Sequence, residues 1–296
     1  MFSRLTQAPP VVLPGYEQVK VRTVSLQIND SYPTMTADPA TPPYETMKKR
    51  LEAMGLTVAD PGQPADASIV MTLTGEALSA EYIGSTDQLR GQTYYTGARY
   101  TGTAEFGVPG LGSKQWAVSG ELGPSNTVAI DEESGLDPTQ APFISAFYQP
   151  MVTTLTNVWG PVAFIETMTQ EDADHIDDVA DWLYSVADQV TPTLLRMLPS
   201  AQEADPGSGG TSIGFGAGTY LGRIIEHGSG SAQTRSTIVR TLISYLSGDP
   251  DQMQEASFLL HLAFQFANPG VSGAPLVALD SWGPQEWTKW ADSNGY

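Results

Sequence analysis

The residues best suited to chemistry lie close together. Glu171-Asp172-Ala173-Asp174-His175-Ile176-Asp177-Asp178, with Asp181 beyond, is the densest polar stretch, and eight acids with no base fall between residues 166 and 188. Carboxylates in that number suit hard cations such as Ca²⁺ or Mg²⁺, and a histidine among them suits a softer metal. Asp174, Asp177 and Asp178 are the candidate cation ligands. The spacing lacks the fixed Asp, Asn and Gly positions of a helix-loop-helix calcium loop. An account without an ion is simpler. Glu171 and Asp172 favour a helix N-terminus through its dipole, while Asp174, Asp177, Asp178 and Asp181 form a solvated face. On that account no metal or cofactor is expected.

The glycine-rich run from Ile213 to Gly222 has the composition of a phosphate cradle, because glycines ahead of a helix let backbone N–H groups approach an anion. A dinucleotide site needs a strand just before it, and the preceding Asp205–Gly210 stretch has the composition of a loop. The run is expected to be a flexible turn leading into a helix. His227-Gly228-Ser229-Gly230-Ser231 sets serines beside a histidine, but the chain is read as having no Gly-x-Ser-x-Gly nucleophile elbow. His175, His227 and His261 are too scattered to nominate a base. His261 stands among Leu259, Leu260, Leu262 and Phe264, which predicts a partly buried helix position. Tyr82, Tyr94, Tyr95 and Tyr100 could stack on sugar or peptide, yet pairing within a sheet accounts for them better. No catalytic residue is nominated.

Composition narrows the function classes. The chain has 296 residues, no cysteine, and 33 acids against 14 bases, a net charge of −19. Such a field repels DNA, RNA and anionic lipid, so nucleic-acid binding is not expected. Lack of cysteine removes disulfides, thiolate metal sites and a thiol nucleophile together. No apolar run reaches membrane-spanning length. The first ten residues lack the apolar core of a signal peptide, which fits a cytoplasmic protein if this N-terminus is native. Five lysines amid much Ser, Thr, Gly and Tyr point the other way, to a bacterial cell envelope or secreted setting.

The elements that must position these residues divide the chain. Residues 1–18 read as an extended tail, 19–165 as an α+β domain and 166–296 as helical. Val19–Ile28 is rich in β-branched residues, as strands are. Tyr44, Met47, Leu51 and Met54 recur at helical spacing, with Gly55 placed as a C-cap. Leu56–Val58 reads as a short strand. Ser68–Thr74, Tyr94–Phe106 and Gln115–Leu122 alternate as an antiparallel meander. Phe143, Phe147, Met151, Leu155 and Val158 predict a helix that Pro150 kinks and Gly160-Pro161 ends. An apolar stripe from Ile176 to Val190 follows, and Pro192 is expected to open a separate helix over Thr193–Leu198. Helices are then expected over Ala217–Glu226, Thr234–Ser247, Asp251–Ala267 and from Pro284 to about Ala291.

The helical half resembles bacterial HEAT-type repeats through Ala217, Leu221, Gly222 and Ile224, then Ile238, Val239, Leu242 and Leu246. Its tryptophan-rich ending, Trp282-Gly-Pro-Gln-Glu-Trp287-Thr-Lys-Trp290, is similar to that of such repeats and would seal the stack as a terminal cap. Residues Leu51, Gly55, Val58 and Ala65–Leu73, with Trp116 in a late strand, are similar to small α+β domains of cell-envelope lipoproteins, although the lipid-bearing cysteine is missing. These resemblances imply an α+β domain followed by a HEAT-like stack. They also imply a non-enzymatic accessory or scaffold role, in which the helical surface contacts a protein partner. The alternative is a hydrolase-type enzyme with a site between the domains.

Overall fold

A computed structural model describes residues 13–31, 42–83, 92–123, 141–168, 172–173, 175–198, 213–248, 250–271 and 274–296. The fold is α+β, a five-stranded mixed sheet in the N-terminal half followed in sequence by a helical region. The chain divides into two compact units, Met1–Thr167 and Met168–Tyr296.

In the first unit the strands are β1 (Thr23–Ser31), β2 (Thr57–Ala59), β3 (Ala67–Ile83), β4 (Gln92–Val108) and β5 (Gly112–Leu122), in spatial order β2-β1-β3-β4-β5. β3, β4 and β5 form the expected antiparallel meander, but β1 pairs in parallel with both β2 and β3, so the sheet is mixed. Helix α1 (Pro42–Ala53) supplies the crossover between parallel β1 and β2. Such strands need a connection longer than a hairpin. Asp66 then ties down the turn into β3: its Oδ2 accepts the backbone N–H groups of Arg22 and Thr23 at 2.9 Å.

One face of this sheet is apolar. Ile69, Met71, Leu73, Tyr100, Ala104, Phe106 and Val118 are buried, while Asn29, Thr72 and Gln115 on the other face hydrogen-bond among polar neighbours. Helices α1 and α2 (Ala141–Glu166) cover the apolar face. Met47, Leu51 and Met54 of the α1 stripe are buried, and so are all five stripe residues predicted for α2. Gly55 caps α1 with φ of 84°, as expected.

Pro150 does not divide α2; the break comes at Gly160 (φ 86°, ψ 160°), after which Pro161 restarts the helix. Proline has no N–H to give the Ala146 carbonyl one turn back. β5 exploits the gap by crossing there with a glycine: a Cβ at Gly120 would lie 2.0 Å from the Ala146 oxygen and 2.6 Å from the Pro150 ring. The end of α2 is clamped by buried Arg50, which donates to the carbonyl and hydroxyl of Thr167 and lies 4.4 Å over the Phe164 ring.

The second unit holds α3 (Ala180–Met197), α4 (Ile213–His227), α5 (Ala232–Tyr245), α6 (Pro250–Ala267), α7 (Ala274–Leu279) and α8 (Pro284–Ser293). A 3-10 turn, Ile176–Val179, precedes α3. Pro192 opens no second helix: α3 runs straight through it. Pro192 is exposed, and so is Asp188, whose carbonyl receives no N–H from the proline. α3 packs on α4, α5 on α6, α4 on α6 and α3 on α5. Ser231 caps α5 by accepting the Thr234 N–H, and Asp188 of α3 accepts the Ser231 N–H at 2.7 Å and the Thr234 hydroxyl. This cap starts α5 two residues earlier than its apolar spacing suggested.

Candidate functional site

The acidic stretch is drawn into pairs. Asp177 is exposed and meets the Arg223 guanidinium of α4 at 2.8 Å, and Arg223 also reaches Glu226 at 3.3 Å. Asp178 contacts His175 Nδ1 at 2.7 Å. Asp172 is buried, and its carbonyl accepts the Tyr220 hydroxyl. Asp174 and Glu171 lie outside the described residues. Among the described residues, no three His, Asp or Glu side chains converge as a metal site would require. The two candidate ligands that are described, Asp177 and Asp178, thus fasten the 3-10 turn to α4 and to itself.

The glycine run is not a turn. α4 already begins at Ile213, so these glycines are helical. Two of them allow close packing against α6: a Cβ at Gly218 would sit 1.9 Å from the Glu255 carboxylate, and one at Gly222 would meet Leu262 at 3.4 Å, whereas Gly216 faces Met168 and Ala173. Burial pushes the Glu255 carboxyl above its ordinary range.

His227 and Ser229 do come together, Nδ1 to Oγ 2.7 Å, but as part of a helix end. The Ser229 N–H donates to the Ile224 carbonyl, its side chain is buried, and the imidazole stacks on Tyr184 at 3.7 Å. A serine held this way has no approach for a substrate carbonyl. The reading that the chain has no Gly-x-Ser-x-Gly is corrected by Gly210-Thr211-Ser212-Ile213-Gly214, such a pentapeptide nearby. A nucleophile elbow sits between a strand and a helix. α4 follows Ser212 directly, but the described strands all lie between residues 23 and 122. Ser212 itself is outside the described residues.

Tyr100 is a structural residue, although not through cross-strand pairing. It is fully buried, with its ring edge-on to Phe143 and Phe147 of α2 at 5.8 and 6.4 Å. Its hydroxyl donates to Asp30 Oδ2 at 3.0 Å, while Asp30 Oδ1 is buried without a hydrogen-bond partner. Burial pushes the Asp30 carboxyl up to about 6, against a partial pull downward from the Tyr100 hydrogen bond. Side chains of Tyr82, Tyr94 and Tyr95 lie outside the described residues. Asp30 was passed over in the sequence, yet it continues the in-phase series Val24, Leu26, Ile28. Its register partner on β3 is Leu73, on the core face.

No family model matches this chain, and no curated protein matches it.

The three C-terminal tryptophans gather around Phe264 of α6. Trp282, Trp287 and Trp290 lie 5.8, 6.4 and 5.7 Å from its ring, and Trp287 is edge-on to both Trp282 and Trp290. The indole N–H groups of Trp287 and Trp290 are buried without hydrogen-bond partners, so contacts between ring edges and π-faces are what remain to offset their desolvation. Arg240 bonds Asp292 and the main-chain oxygen of Tyr296, which holds α8 against α5.

Large apolar side chains outside this core sit on α6 and α7. Phe258 is 57% and Val277 69% exposed, and Met253 and Phe266 are also exposed. A shallow apolar cleft lies alongside, lined by residues that include Ile225, Ile238, Ala263, Phe266 and Tyr296. It is far smaller than a small-molecule pocket, which runs to several hundred Å³.

Proposed function

We propose that this chain is a non-enzymatic binding or assembly protein whose helical unit contacts a protein partner. The observation that carries this is the exposure of Phe258 and Val277, with Met253 and Phe266, on the neighbouring helices α6 and α7. Water penalises exposed aromatic and branched side chains by about 25 cal/mol per Å², and a contiguous apolar patch, which we take these residues to form, marks an interaction surface. Further support comes from the packing pattern. α3 with α4 and α5 with α6 pair in sequence, while α3 with α5 and α4 with α6 pair across. Stacked helical hairpins give that arrangement, and such stacks present extended binding surfaces.

The test compares the chain with its Phe258→Ser/Val277→Ser variant, both immobilised in native extract. The unmodified chain retains a saturable protein partner that the variant releases. Equal retention by both, or no saturable partner, would count against the proposal. The pentapeptide around Ser212 supplies a check from the enzymatic side. A fluorophosphonate probe should leave the chain unlabelled; labelling that disappears in Ser212→Ala would replace the binding role with a hydrolase.

A further inference from the structure

Two of the exposed residues of α6 and α7, Phe258 and Val277, lie beside one contact. His261 of α6 meets Asp280, just past α7, at 3.8 Å. Phe258 stands about one turn before His261 on α6, and the Asp280 N–H donates to the Val277 carbonyl in the turn that ends α7, so each lies beside the contact. Phe258 and Val277 therefore flank one junction. The sequence running through this junction carries charge of a single sign. From Thr241 to Thr288 the sequence holds five acids, Asp249, Asp251, Glu255, Asp280 and Glu286, and no Lys or Arg. The second unit as a whole, residues 168–296, carries 16 acids against 5 bases, a net charge of −11. Of those bases, Arg223 and Arg240 are committed to Asp177 and Asp292, and Arg235 to the carbonyls of Gly228 and Gly230.

From this patch we infer that the partner element docked at the α6–α7 junction is a basic amphipathic helix. The inference rests on the binding role proposed above and names the chemistry of what binds. An amphipathic helix offers an apolar stripe for Phe258 and Val277 and meets helices by ridge-and-groove packing. Lys and Arg beside that stripe meet Asp280 and the net negative charge of this unit. An anionic membrane or nucleic acid would be repelled by the same field.

The probes are two labelled helical peptides of roughly 18 residues, five turns long, with identical leucine stripes and polar faces of Lys in one and Glu in the other. Binding to the intact chain is followed by fluorescence anisotropy. The Lys peptide binds roughly tenfold or more tightly than the Glu peptide, and added salt narrows the gap. Phe258→Ser/Val277→Ser weakens the Lys peptide roughly tenfold with unchanged circular dichroism and unfolding midpoint. Lys289→Glu, at an exposed position of α8, leaves its affinity intact. Lys-peptide binding that ignores the Phe258/Val277 substitutions means diffuse attraction to an acidic chain and overturns the inference. Equal affinity for both peptides overturns the basic character alone and leaves the binding role standing, as does a native partner lost by the variant when neither peptide binds. Dimerisation of the chain that Phe258→Ser abolishes would give the patch to a second copy instead.

Discussion

Replacing Asp30 with Asn isolates the energetic cost of a half-buried charge in the sheet core. The carboxyl is raised from 3.8 to about 6 in the folded chain, with burial the dominant cause and the Tyr100 hydrogen bond opposing it. A shift of about two pH units corresponds to about 3 kcal/mol. Asp30 keeps part of its surface in water, and screening there reduces the expected effect to about 1–2 kcal/mol. The sign follows from linkage. Below the unfolded value Asp30 is protonated in both states and costs nothing. As pH rises through the window between 3.8 and about 6, ionisation favours the unfolded chain, and the wild type loses stability relative to Asp30→Asn. Asn brings a constant penalty of its own, because one amide group takes the place of the unpartnered Oδ1. That penalty is the same at each pH and cancels from the difference. Asp66 and Asp188, whose carboxyls are held below the usual range by hydrogen bonds, lose stability in acid in both proteins and cancel as well. The assay is urea unfolding of both proteins at about pH 4 and about pH 7.5, with the change in ΔΔG as the readout. A ΔΔG that stays constant, or one that moves in favour of the wild type as pH rises, refutes the reasoning.

Two glycine substitutions should separate by what the new methyl meets. Gly120→Ala drives a Cβ into the Ala146 main-chain oxygen, which cannot yield without moving α2, and costs about 2–3 kcal/mol in urea unfolding. Gly218→Ala meets only the end of the Glu255 side chain, which can swing away, and alanine is the better helix former by about 1 kcal/mol. Its net effect stays within about 1 kcal/mol of wild type. Arg50→Met leaves the Thr167 carbonyl without its buried donor and removes the contact over Phe164, costing about 2 kcal/mol. Arg50→Lys recovers less than half of that, because an ammonium lacks the planar fork; calorimetric midpoints of the three proteins rank them.

Local pattern carried much of the architecture. The stripes Met47-Leu51-Met54 and Phe143-Phe147-Met151-Leu155-Val158 named helix faces that are buried, since a period near 3.6 leaves one way to hide the apolar side. Alternation along β3, β4 and β5 named an antiparallel meander for a similar reason, a period of two. Gly55 ended α1 as its freedom at positive φ predicts. These features depend on a few consecutive residues, so the chain states them outright.

Other features depend on what lies across space. β1 is parallel to its neighbours because α1 returns the chain to the same end of the sheet, and no composition of nine residues reveals that. Pro192 stays inside α3 because its side of the helix faces water, and the glycine run is helical, with Gly218 and Gly222 placed where α6 comes close. Asp30 follows Val24, Leu26 and Ile28 in phase, but only the register with Leu73 and the reach of Tyr100 turned that phase into a half-buried carboxyl with one partner. The same holds for the surface proposed to bind. The residues from Thr241 to Thr288 declare their one-signed charge, whereas the exposure of Phe258 and Val277 follows from how α6 turns against α4 and α5. Burial is a property of neighbours, and neighbours are chosen by packing rather than by sequence spacing.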